Sequence, residues 1–335
     1  MYTRGKGGTA VIVGVYVDDL IVTGAKTSEI VAFKKQMTAE FEMSDLGLLS
    51  FYLGIEVSQQ EGSVTIKQSA YARKVLKQFG MEDYNPTKYP MEHKAQVHKD
   101  SDGQPVDATE YRRVVGCLRY LLHTRPDLSH AVGVASRHME RPTVMHQKLV
   151  KQMLRYLKGT IDLGLVYVQG TGKEVLTGFT DSDLGGDLDD RKSTGGMAFY
   201  LNNNLVSWTS QKQKTVALSS CEAEFIAAAT AACQALWLKS MLEELTGEKQ
   251  GSVKLYVDNN SAIALMKNPV FHGRSKHIDM RYHFIRDYVC KGHISVHWIC
   301  TEEQRADVLT KALAAGKLQA MRHLLGVRDL STRQD

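Results

Sequence analysis

The hydrophobic and polar positions along the chain change their spacing several times, and each change marks a predicted element. Residues 10–24 read AVIVGVYVDDLIVTG, in which two apolar, β-branched runs flank Asp18 and Asp19. This pattern predicts two strands joined by a tight turn that carries both aspartates. A helical spacing of apolar residues follows at 28–43, and SDLGLLSFYLGIEV at 44–57 returns to a strand pattern.

The middle of the chain predicts a polar connection followed by three helices. Residues 82–107 are rich in Pro, Asp, Lys and His and predict a long loop. Helical patterns follow near 109–123, 127–139 and 143–158, separated by the prolines of TRPD and ERPT. In the third helix, spacings of three, four and three place four basic residues on one face: Lys148, Lys151, Arg155 and Lys158. This stripe is either a track for phosphates or a solvated helix surface, and the pattern leaves both interpretations open.

From about residue 175 the pattern predicts a mixed sheet covered by helices. Three strands come first, in EVLTGFTD, GGMAFYL and LVSW, with the turn Asn202-Asn203-Asn204 between the last two. A long alanine-rich helix over about 219–246 is followed by strand VKLYV, a short helix ending before Pro269, a helix around HIDMRYHFIRDYV, strand HISVHWI and a final helix. Consecutive strands followed by alternating helix and strand are typical of a mixed sheet.

Composition narrows the class of protein only modestly. At 335 residues, with 43% hydrophobic and 24% charged residues, the chain is long enough for about two globular domains. A net charge of +5 weakly favours a polyanionic partner. Five scattered cysteines indicate a reducing compartment, so we expect an intracellular protein, cytoplasmic or nuclear and not secreted. The first apolar run is broken by two aspartates, which argues against a signal peptide, and we expect no membrane association.

Four acidic residues of the last part predict a metal centre: Asp181, Glu224, Asp258 and Asp307. If they converge, their repulsion raises their proton affinity unless divalent cations bind, and carboxylate oxygens favour Mg²⁺ or Mn²⁺. Two such ions about 3.5 to 4 Å apart activate a water and stabilise the leaving oxygen in phosphodiester hydrolysis. Each acid alone also has a structural interpretation, since Asp258 suits a helix cap and Asp307 an ion pair with Lys311.

Capping patterns help to choose among neighbouring acids. Ser219 precedes Glu222 by three residues, so Glu222 is predicted to cap the long helix. Glu224 points about 200° away around the helix and is therefore the better candidate for chemistry. A second capping pattern, TEEQ at 301–304, predicts the start of the last helix and places Asp307 one turn inside it.

A zinc site is not expected in the C-x2-H-x3-H-x2-C pattern near the end of the chain. Its members are Cys290, His293, His297 and Cys300. Because ISVHWIC alternates like a strand, His297 and Cys300 point to opposite faces, and the four side chains cannot converge without breaking the strand.

These motifs together resemble the Pol polyproteins of copia-type LTR retrotransposons. FTDSDLGGDLDDRKSTGG, VSWTSQKQKTVALSSCEAEF, LYVDNNSAI, RSKHIDMRYHFIRDYV and EEQRADVLTKAL are similar to the ribonuclease H domain of that family. YVDDLIVTG and FYLGIEV resemble its reverse transcriptase palm hairpin and primer grip, and EYRRVVGCLRYLLHTRPDLSHAVGVASRHMERPT resembles its connecting segment. The resemblance covers nearly the whole chain.

The resemblance implies an α/β (α+β) fold in which an incomplete reverse transcriptase palm, thumb and connection region precedes a ribonuclease H-like mixed sheet with flanking helices. The implied division is a truncated palm hairpin and thumb-like region at 1–90, a linker and helical connection at 91–174, the ribonuclease H-like domain at 175–325 and a tail at 326–335.

The implied activity of the last domain is two-metal hydrolysis of the RNA strand of an RNA/DNA hybrid, with Mg²⁺ or Mn²⁺. The family's catalytic acids fall on the same four residues, and Asp183 remains a rival to Asp181. Leu184 stands where the family usually carries Trp, which concerns local packing. His277 and Arg281 are expected on a substrate-facing helix, with ordinary helix surface as the alternative.

For the polymerase, Asp18 and Asp19 match the palm hairpin. The family's third palm aspartate belongs to a strand well before the hairpin, and this sequence does not contain it, so we expect no autonomous DNA synthesis. Two alternatives remain open: a non-catalytic module that binds nucleic acid or protein, and a reverse transcriptase active only with a separate upstream Pol fragment. The sequence does not define the oligomeric state.

Overall fold

The computed structural model describes residues 1–5, 9–170, 172, 174–267 and 279–331, with the side chains of 279–282 excepted. Within these ranges the strands form one three-stranded sheet and two five-stranded sheets.

The first sheet contains the predicted hairpin. Its strands are antiparallel and in chain order: β1 (Tyr2–Arg4), β2 (Val11–Tyr16) and β3 (Asp19–Gly24). Val17, with a positive φ of 52°, and Asp18 form the turn, which confirms the predicted strand, turn and strand. Of the two aspartates predicted in the turn, only Asp18 lies there, because Asp19 begins β3 and pairs with Tyr16. Val11 and Val13 are buried, while the helix that follows, α1 (Thr27–Glu40), buries none of its side chains fully.

The second sheet joins residues from both ends of the chain. Its strands are antiparallel, in the order β13-β7-β6-β5-β4. They are β4 (Phe51–Tyr52), β5 (Ile55–Gln60), β6 (Ser63–Lys67), β7 (Leu163–Val168) and β13 (Val327–Asp329). The predicted tail is therefore wrong in part, because Val327 is buried and pairs with Leu165. Three residues are too few to show a strand period, and the pairing partner lies far upstream.

The third sheet confirms the predicted mixed sheet. Its order is β10-β9-β8-β11-β12, antiparallel through β8, β9 and β10 and parallel between β8, β11 and β12. The strands are β8 (Leu176–Ser182), β9 (Thr194–Leu201), β10 (Asn204–Lys212), β11 (Val253–Val257) and β12 (Ile294–Trp298). Asn202 and Asn203 both take positive φ angles in the tight turn between β9 and β10, a conformation that asparagine tolerates well.

Helices lie where they were predicted near 109–123, 127–139, 143–158 and 219–246, but the helix Ser69–Gln78 was not predicted and the last helix begins later than predicted. The 82–107 segment contains no helix or strand apart from a bridge at Pro105. The helices are α2 (Ser69–Gln78), α3 (Ala108–Leu121), α4 (Ser129–Ala135), α5 (Val144–Lys158), α6 (Ser220–Thr246), α7 (Asn260–Lys267), α8 (Asp279–Cys290) and α9 (Ala315–Leu324).

Two hydrophobic cores lie on opposite faces of the third sheet. On one face α6, α7 and α8 pack over Phe199 and Leu255. On the other face α2 to α5 share a core with Phe179 and Tyr200, so the helical connection is built onto the sheet. By length and composition α6 could cross a membrane, but 56% of its most apolar window is buried, as in a core helix.

A buried ion pair ties several of these segments together. The Arg125 guanidinium donates to the Asp127 carboxylate over 2.9 and 2.8 Å, and to the carbonyl oxygen of Thr160 over 2.8 Å. The Tyr156 hydroxyl donates to Asp127 over 2.6 Å and accepts from Arg322 of α9 over 3.2 Å. The network therefore connects the loop before α4 to α5 and to α9.

Candidate metal centre

Three of the four predicted acids converge at one edge of the third sheet. Asp181 is near the end of β8 and Asp258 directly follows β11, and these neighbouring strands are parallel, so their carboxyl ends meet. Glu224 reaches the same point from the first turns of α6. One carboxylate oxygen of each residue lies within 4.8 Å of the others. Asp181 and Glu224 are only 1% and 5% exposed, and Asp258 is half-buried.

The start of α6 selects Glu224 for this cluster. The Ser219 hydroxyl accepts from the Glu222 backbone N–H over 3.2 Å, and the Glu222 carboxylate accepts from the Leu218 N–H over 3.0 Å, so the predicted capping role of Glu222 is confirmed. Oε1 of Glu224 accepts from the Ser182 N–H over 3.2 Å. Its Oε2 is buried and has no hydrogen-bond partner among the described residues. A buried oxygen without a donor is suited to a cation.

Electrostatics give the cluster a high proton affinity. Burial raises the pKa of Glu224 to about 10, and the charges of Asp181 and Asp258 add to the effect. Burial and the Asp181 charge also raise the pKa of Asp258. Without a cation the folded cluster therefore holds a proton that the unfolded chain would release at neutral pH. A divalent cation supplies the compensating charge instead.

Asp307 lies beside the cluster, but the predicted location in the last helix is wrong. It begins a 3-10 turn, Asp307–Leu309, and the last helix, α9, starts only at Ala315. The TEEQ pattern fails because the Gln304 amide is buried and donates to the Thr180 carbonyl oxygen of β8 over 2.9 Å. A tertiary contact with the sheet thus replaces the local helix cap.

Two lysines hold the Asp307 carboxylate. Nζ of Lys311 is 3.0 Å from Oδ1, and Nζ of Lys317 is 2.5 Å from Oδ2. Lys311 also lies 3.2 Å from Asp181, whose Oδ2 accepts from the Thr310 hydroxyl. Burial alone would lower the pKa of Lys311, but the charges of Asp181 and Asp307 raise it above its ordinary value. Lys311 is therefore an ammonium at the edge of the acidic cluster, and the ion pair with Asp307 considered from the sequence is present.

Asp183, the rival to Asp181, has a different contact. Its Oδ1 accepts from the Thr194 backbone N–H over 2.7 Å, which fastens the start of β9. Burial raises the pKa of Asp183, partly offset by this hydrogen bond. Of the two residues, Asp181 is the one whose carboxylate lies with Glu224 and Asp258.

Comparison with known proteins identifies the family. Residues 1–93 match the family described as "Reverse transcriptase (RNA-dependent DNA polymerase)". The Retrovirus-related Pol polyprotein from transposon TNT 1-94 of Nicotiana tabacum is 38% identical across 97% of this chain and 25% of its own length. The putative transposon Ty5-1 protein of Saccharomyces cerevisiae is 30% identical across 68% of this chain and 75% of its own length. The chain belongs to the Pol polyproteins of copia-type retrotransposons.

This Pol chain spans about a quarter of the length of the tobacco relative, 25%. Its fold is similar to a solved structure of the foamy viral protease-reverse transcriptase in complex with RNA/DNA hybrid, with a TM-score of 0.52, 13% identity, and coverage of 86% of this chain and 36% of that one. At this identity the likeness concerns the fold alone. Family membership and the match over residues 1–93 show that the chain includes part of the reverse transcriptase region of Pol.

The other predicted site residues of this Pol chain lie outside the acidic cluster. Asp18 and Asp19 are exposed at the hairpin turn. In the described part of the chain, Asp181, Glu224 and Asp258 form the group that could hold a metal ion. The four residues considered for zinc are separated: Cys290 is exposed at the end of α8, His293 lies 3.5 Å from Lys239, His297 contacts Ser295, and Cys300 follows β12.

Two members of the basic stripe on α5 have structural contacts. Lys151 lies over the Tyr84 ring, 4.7 Å from its centroid, and Arg155 donates to the Asn85 carbonyl oxygen over 2.7 Å. They hold the loop that follows α2, whereas Lys148 is exposed and Lys158 half-buried. His277 lies outside the described residues, and so does the side chain of Arg281.

Several residues that hydrogen-bond to the acids or to their backbone were not predicted from the sequence. The Trp298 indole N–H donates to the Asp258 carbonyl oxygen over 3.2 Å, with its ring 55% exposed beside the centre. Thr310 and Lys317 contact Asp181 and Asp307. Only the spacing of Lys311 from Asp307 gave a local signal for any of these contacts.

Gly196 of β9 allows the turn that carries Asp307 to approach the sheet. A Cβ at this position would lie 2.8 Å from Leu309 Cβ and 2.8 Å from Thr310 Cγ2. We therefore expect Gly196→Ala to displace the turn and to cost about 1 to 3 kcal/mol of unfolding free energy, measured by urea denaturation. At Gly195 the nearest atom would be Ala227 Cβ at 3.4 Å, so Gly195→Ala serves as the matched control. Equal stability of the two variants would contradict the expectation.

Proposed function

We propose that residues 175–325 form a ribonuclease H-type nuclease that cleaves the RNA strand of RNA/DNA hybrids with two Mg²⁺ or Mn²⁺ ions. The observation that carries the proposal is the convergence of Asp181, Glu224 and Asp258, with an unpartnered buried oxygen on Glu224. Membership in the Pol family supports a nucleic-acid substrate, and the foamy viral neighbour was solved with an RNA/DNA hybrid. Such hybrids are selected by groove shape and by the 2′-hydroxyls of one strand.

The donor set fits the proposed ions. Its ligands are carboxylate oxygens, which hard divalent cations prefer. The carboxylates of Asp181, Glu224 and Asp258 repel one another, and the ammonium of Lys311 offsets only part of their negative charge. When bound, the ions would lower the pKa of a water and stabilise the developing charge on the leaving oxygen.

The chain itself orients the ligands. The Ser182 N–H fixes one oxygen of Glu224 and leaves the other free, and the Thr310 hydroxyl and Lys311 fix Asp181. The Trp298 indole holds the backbone of Asp258. The contacts to Glu224 and Asp181 restrict the rotation of these carboxylates before any cation binds, which is the role of outer partners at metal sites.

The decisive experiment is cleavage of an end-labelled RNA/DNA hybrid in Mg²⁺ by the wild-type chain and by Glu224→Gln and Asp258→Asn. Double-stranded RNA and double-stranded DNA serve as control substrates, and circular dichroism checks the folding of each variant. We expect hybrid-specific cleavage that both variants lose. A folded, Mg²⁺-supplied chain that binds the hybrid without cleaving it would instead favour the non-catalytic binding module.

Cation binding also predicts a pH-dependent stabilisation. Because the pKa of Glu224 is raised above its unfolded value, the cation-free protein loses stability as pH rises from about 4.5 towards 10, and a bound cation removes this penalty. We expect Mg²⁺ at several times its Kd to raise Tm by about 2 °C or more, with a larger rise near pH 9 than near pH 6. Thermal unfolding followed by circular dichroism measures both values.

Two variants control the Tm measurement. Glu224→Gln is expected to lose most of the Mg²⁺-dependent rise, because it removes the charge that the cation compensates. Asp287→Asn removes an exposed acid of α8 and is expected to keep the rise. The same rise in Glu224→Gln as in the wild type would show that Mg²⁺ stabilises the chain elsewhere.

A further inference from the structure

A cleft of about 600 Å³ opens between α3, α4 and β10, on the far side of β9 from Asp181. Its walls supply hydroxyl and amide groups from Ser129, Ser136, Ser207, Thr209, Ser210 and Gln211. Three permanent cations line it as well: Arg119, Arg137 and Lys212. Among the described residues that line the cleft there is no aspartate or glutamate, so its lining is basic and rich in hydrogen-bonding groups.

The three cations differ in how far they are compensated. Arg137 donates to Asp187 over 3.2 Å, and Lys212 lies 2.6 Å from Asp187 and 2.8 Å from Asp190. The Arg119 guanidinium is exposed and has no hydrogen bond or ion pair with any described residue. Arg119 is therefore the charge that remains free for an anionic ligand.

The cleft lies close to the metal centre in the same sheet. Asp181 pairs with Gly196, and Gly196 pairs with Ser210, so the three residues are in register across neighbouring strands. Strands lie about 4.8 Å apart, which puts the backbone of Ser210 about 10 Å from that of Asp181. Arg137 connects the two regions, because it also donates to the Thr194 hydroxyl over 2.8 Å, next to Asp183.

The shape of the cleft favours a polymer over a single phosphate. Every residue from Ser207 to Lys212 lines it, and six strand residues extend over about 17 Å. One nucleic-acid strand advances about 3.4 Å per phosphate, so this length matches about five nucleotides. Trp208 adds an aromatic surface, which base or sugar rings can contact.

We propose that this cleft holds the sugar–phosphate backbone of the nucleic acid on which the carboxylate centre acts. Arg119 contacts a phosphate, and the hydroxyls of β10 and α4 donate to phosphate and sugar oxygens, contacts that position a nucleic acid without reading its sequence. The proposal rests on the proposed function for the identity of the substrate. It adds a binding site outside the catalytic acids.

The test is fluorescence anisotropy with a labelled RNA/DNA hybrid, in EDTA so that no cleavage occurs, using the wild type, Arg119→Glu and Arg113→Glu. Arg113 is an exposed arginine of the same helix that does not line the cleft, and the two residues lie about 120° apart around α3. Both variants change the net charge equally, so a difference between their affinities for the hybrid reports the effect of the position of the charge.

We expect Arg119→Glu to weaken binding about tenfold or more relative to Arg113→Glu, the change for one lost charge-assisted hydrogen bond. The slope of log Kd against log salt should also fall by about 0.9 for one duplex phosphate contact. If Arg119→Glu does not fold, Arg119→Gln and Arg113→Gln replace the pair. Equal affinities and equal salt slopes for the matched variants would overturn the proposal.

The experiments can reject the cleft proposal and the nuclease proposal independently. If the wild type does not cleave the hybrid in Mg²⁺ but its binding depends on Arg119, the nuclease is rejected and the cleft is supported. If it cleaves the hybrid while Arg119→Glu binds as tightly as Arg113→Glu, the cleft is rejected and the nuclease is supported.

Discussion

Asp181→Asn is expected to slow cleavage of an RNA/DNA hybrid by about 10³-fold or more. The substitution keeps the size of the side chain but removes the charge of a buried oxygen ligand that lies within 4.8 Å of Glu224 and Asp258. A metal ion supplies several kcal/mol of transition-state stabilisation, and each 1.36 kcal/mol is a factor of ten in rate, so loss of one ion gives this magnitude. Single-turnover cleavage at saturating Mg²⁺ measures it.

Asp183→Asn is the matched control for this prediction. Asp183 accepts from the Thr194 N–H, and the carbonyl oxygen of an asparagine can accept the same hydrogen bond. The start of β9 should therefore stay in place, and the rate should stay within about tenfold of the wild type. A full loss in Asp183→Asn together with an active Asp181→Asn would exchange the roles of these two residues.

Asp181 and Asp183 also show which part of the site could be predicted from the sequence and which part could not. Asp181 and Asp183 belong to one short segment, and the residue pattern alone did not distinguish them. The distinction depends on where β9 begins, because the Thr194 N–H at its start donates to Asp183 and not to Asp181. For Glu224 the local pattern sufficed. The capping role of Glu222 was readable from Ser219, and a helix then places Glu224 on another face.

The sheets and helices were predicted best where a period was sustained over many residues, as in β8 to β10 and in α6. The prediction failed where a tertiary partner overrode a local signal. Gln304 looks like a capping residue, yet its amide bonds to Thr180 of β8, so Asp307 lies in a 3-10 turn. The short strand β13 was missed because its hydrogen bonds go to β7, which no nearby residue reveals.

The basic stripe on α5 is a second case in which the sequence pattern did not reveal tertiary contacts. Its spacing on α5 was correct, but spacing does not show that Lys151 and Arg155 hold the loop at Tyr84 and Asn85. The cleft lined by Arg119, by contrast, is assembled from α3, α4 and β10, which are far apart in the chain. Only the folded arrangement brings its cations and hydroxyls together.

A buried ion pair gives the largest expected effect on stability. Arg125 and Asp127 are both almost completely buried, and they are two residues apart in TRPD, where the sequence showed only a helix boundary. Burial alone would raise the pKa of Asp127, but the Arg125 charge and the hydrogen bonds of Arg125 and Tyr156 hold it below its ordinary value. Asp127 is therefore ionised in the folded protein. Its ionised carboxylate stabilises the folded state above about pH 4, and this stabilisation is lost as pH falls further.

Asp127→Asn should accordingly lower the unfolding free energy by about 3 to 5 kcal/mol at neutral pH. The variant leaves the Arg125 guanidinium buried without its counter-charge, which costs far more than the pair itself contributes. It also weakens the hydrogen bond from Tyr156, which connects this site to Arg322 of α9. Urea denaturation followed by circular dichroism measures the change.

Asp287→Asn provides the surface counterpart. Asp287 and Lys291 form an ion pair over 3.1 Å on α8, with side chains 66% and 63% exposed. Pairs of this kind contribute less than about 1 kcal/mol, because water solvates both charges when the pair is broken. If Asp127→Asn costs no more than Asp287→Asn, water must reach Arg125 in the variant, and the contacts of Tyr156, Thr160 and Arg322 rather than the charge would then hold α9 against α5.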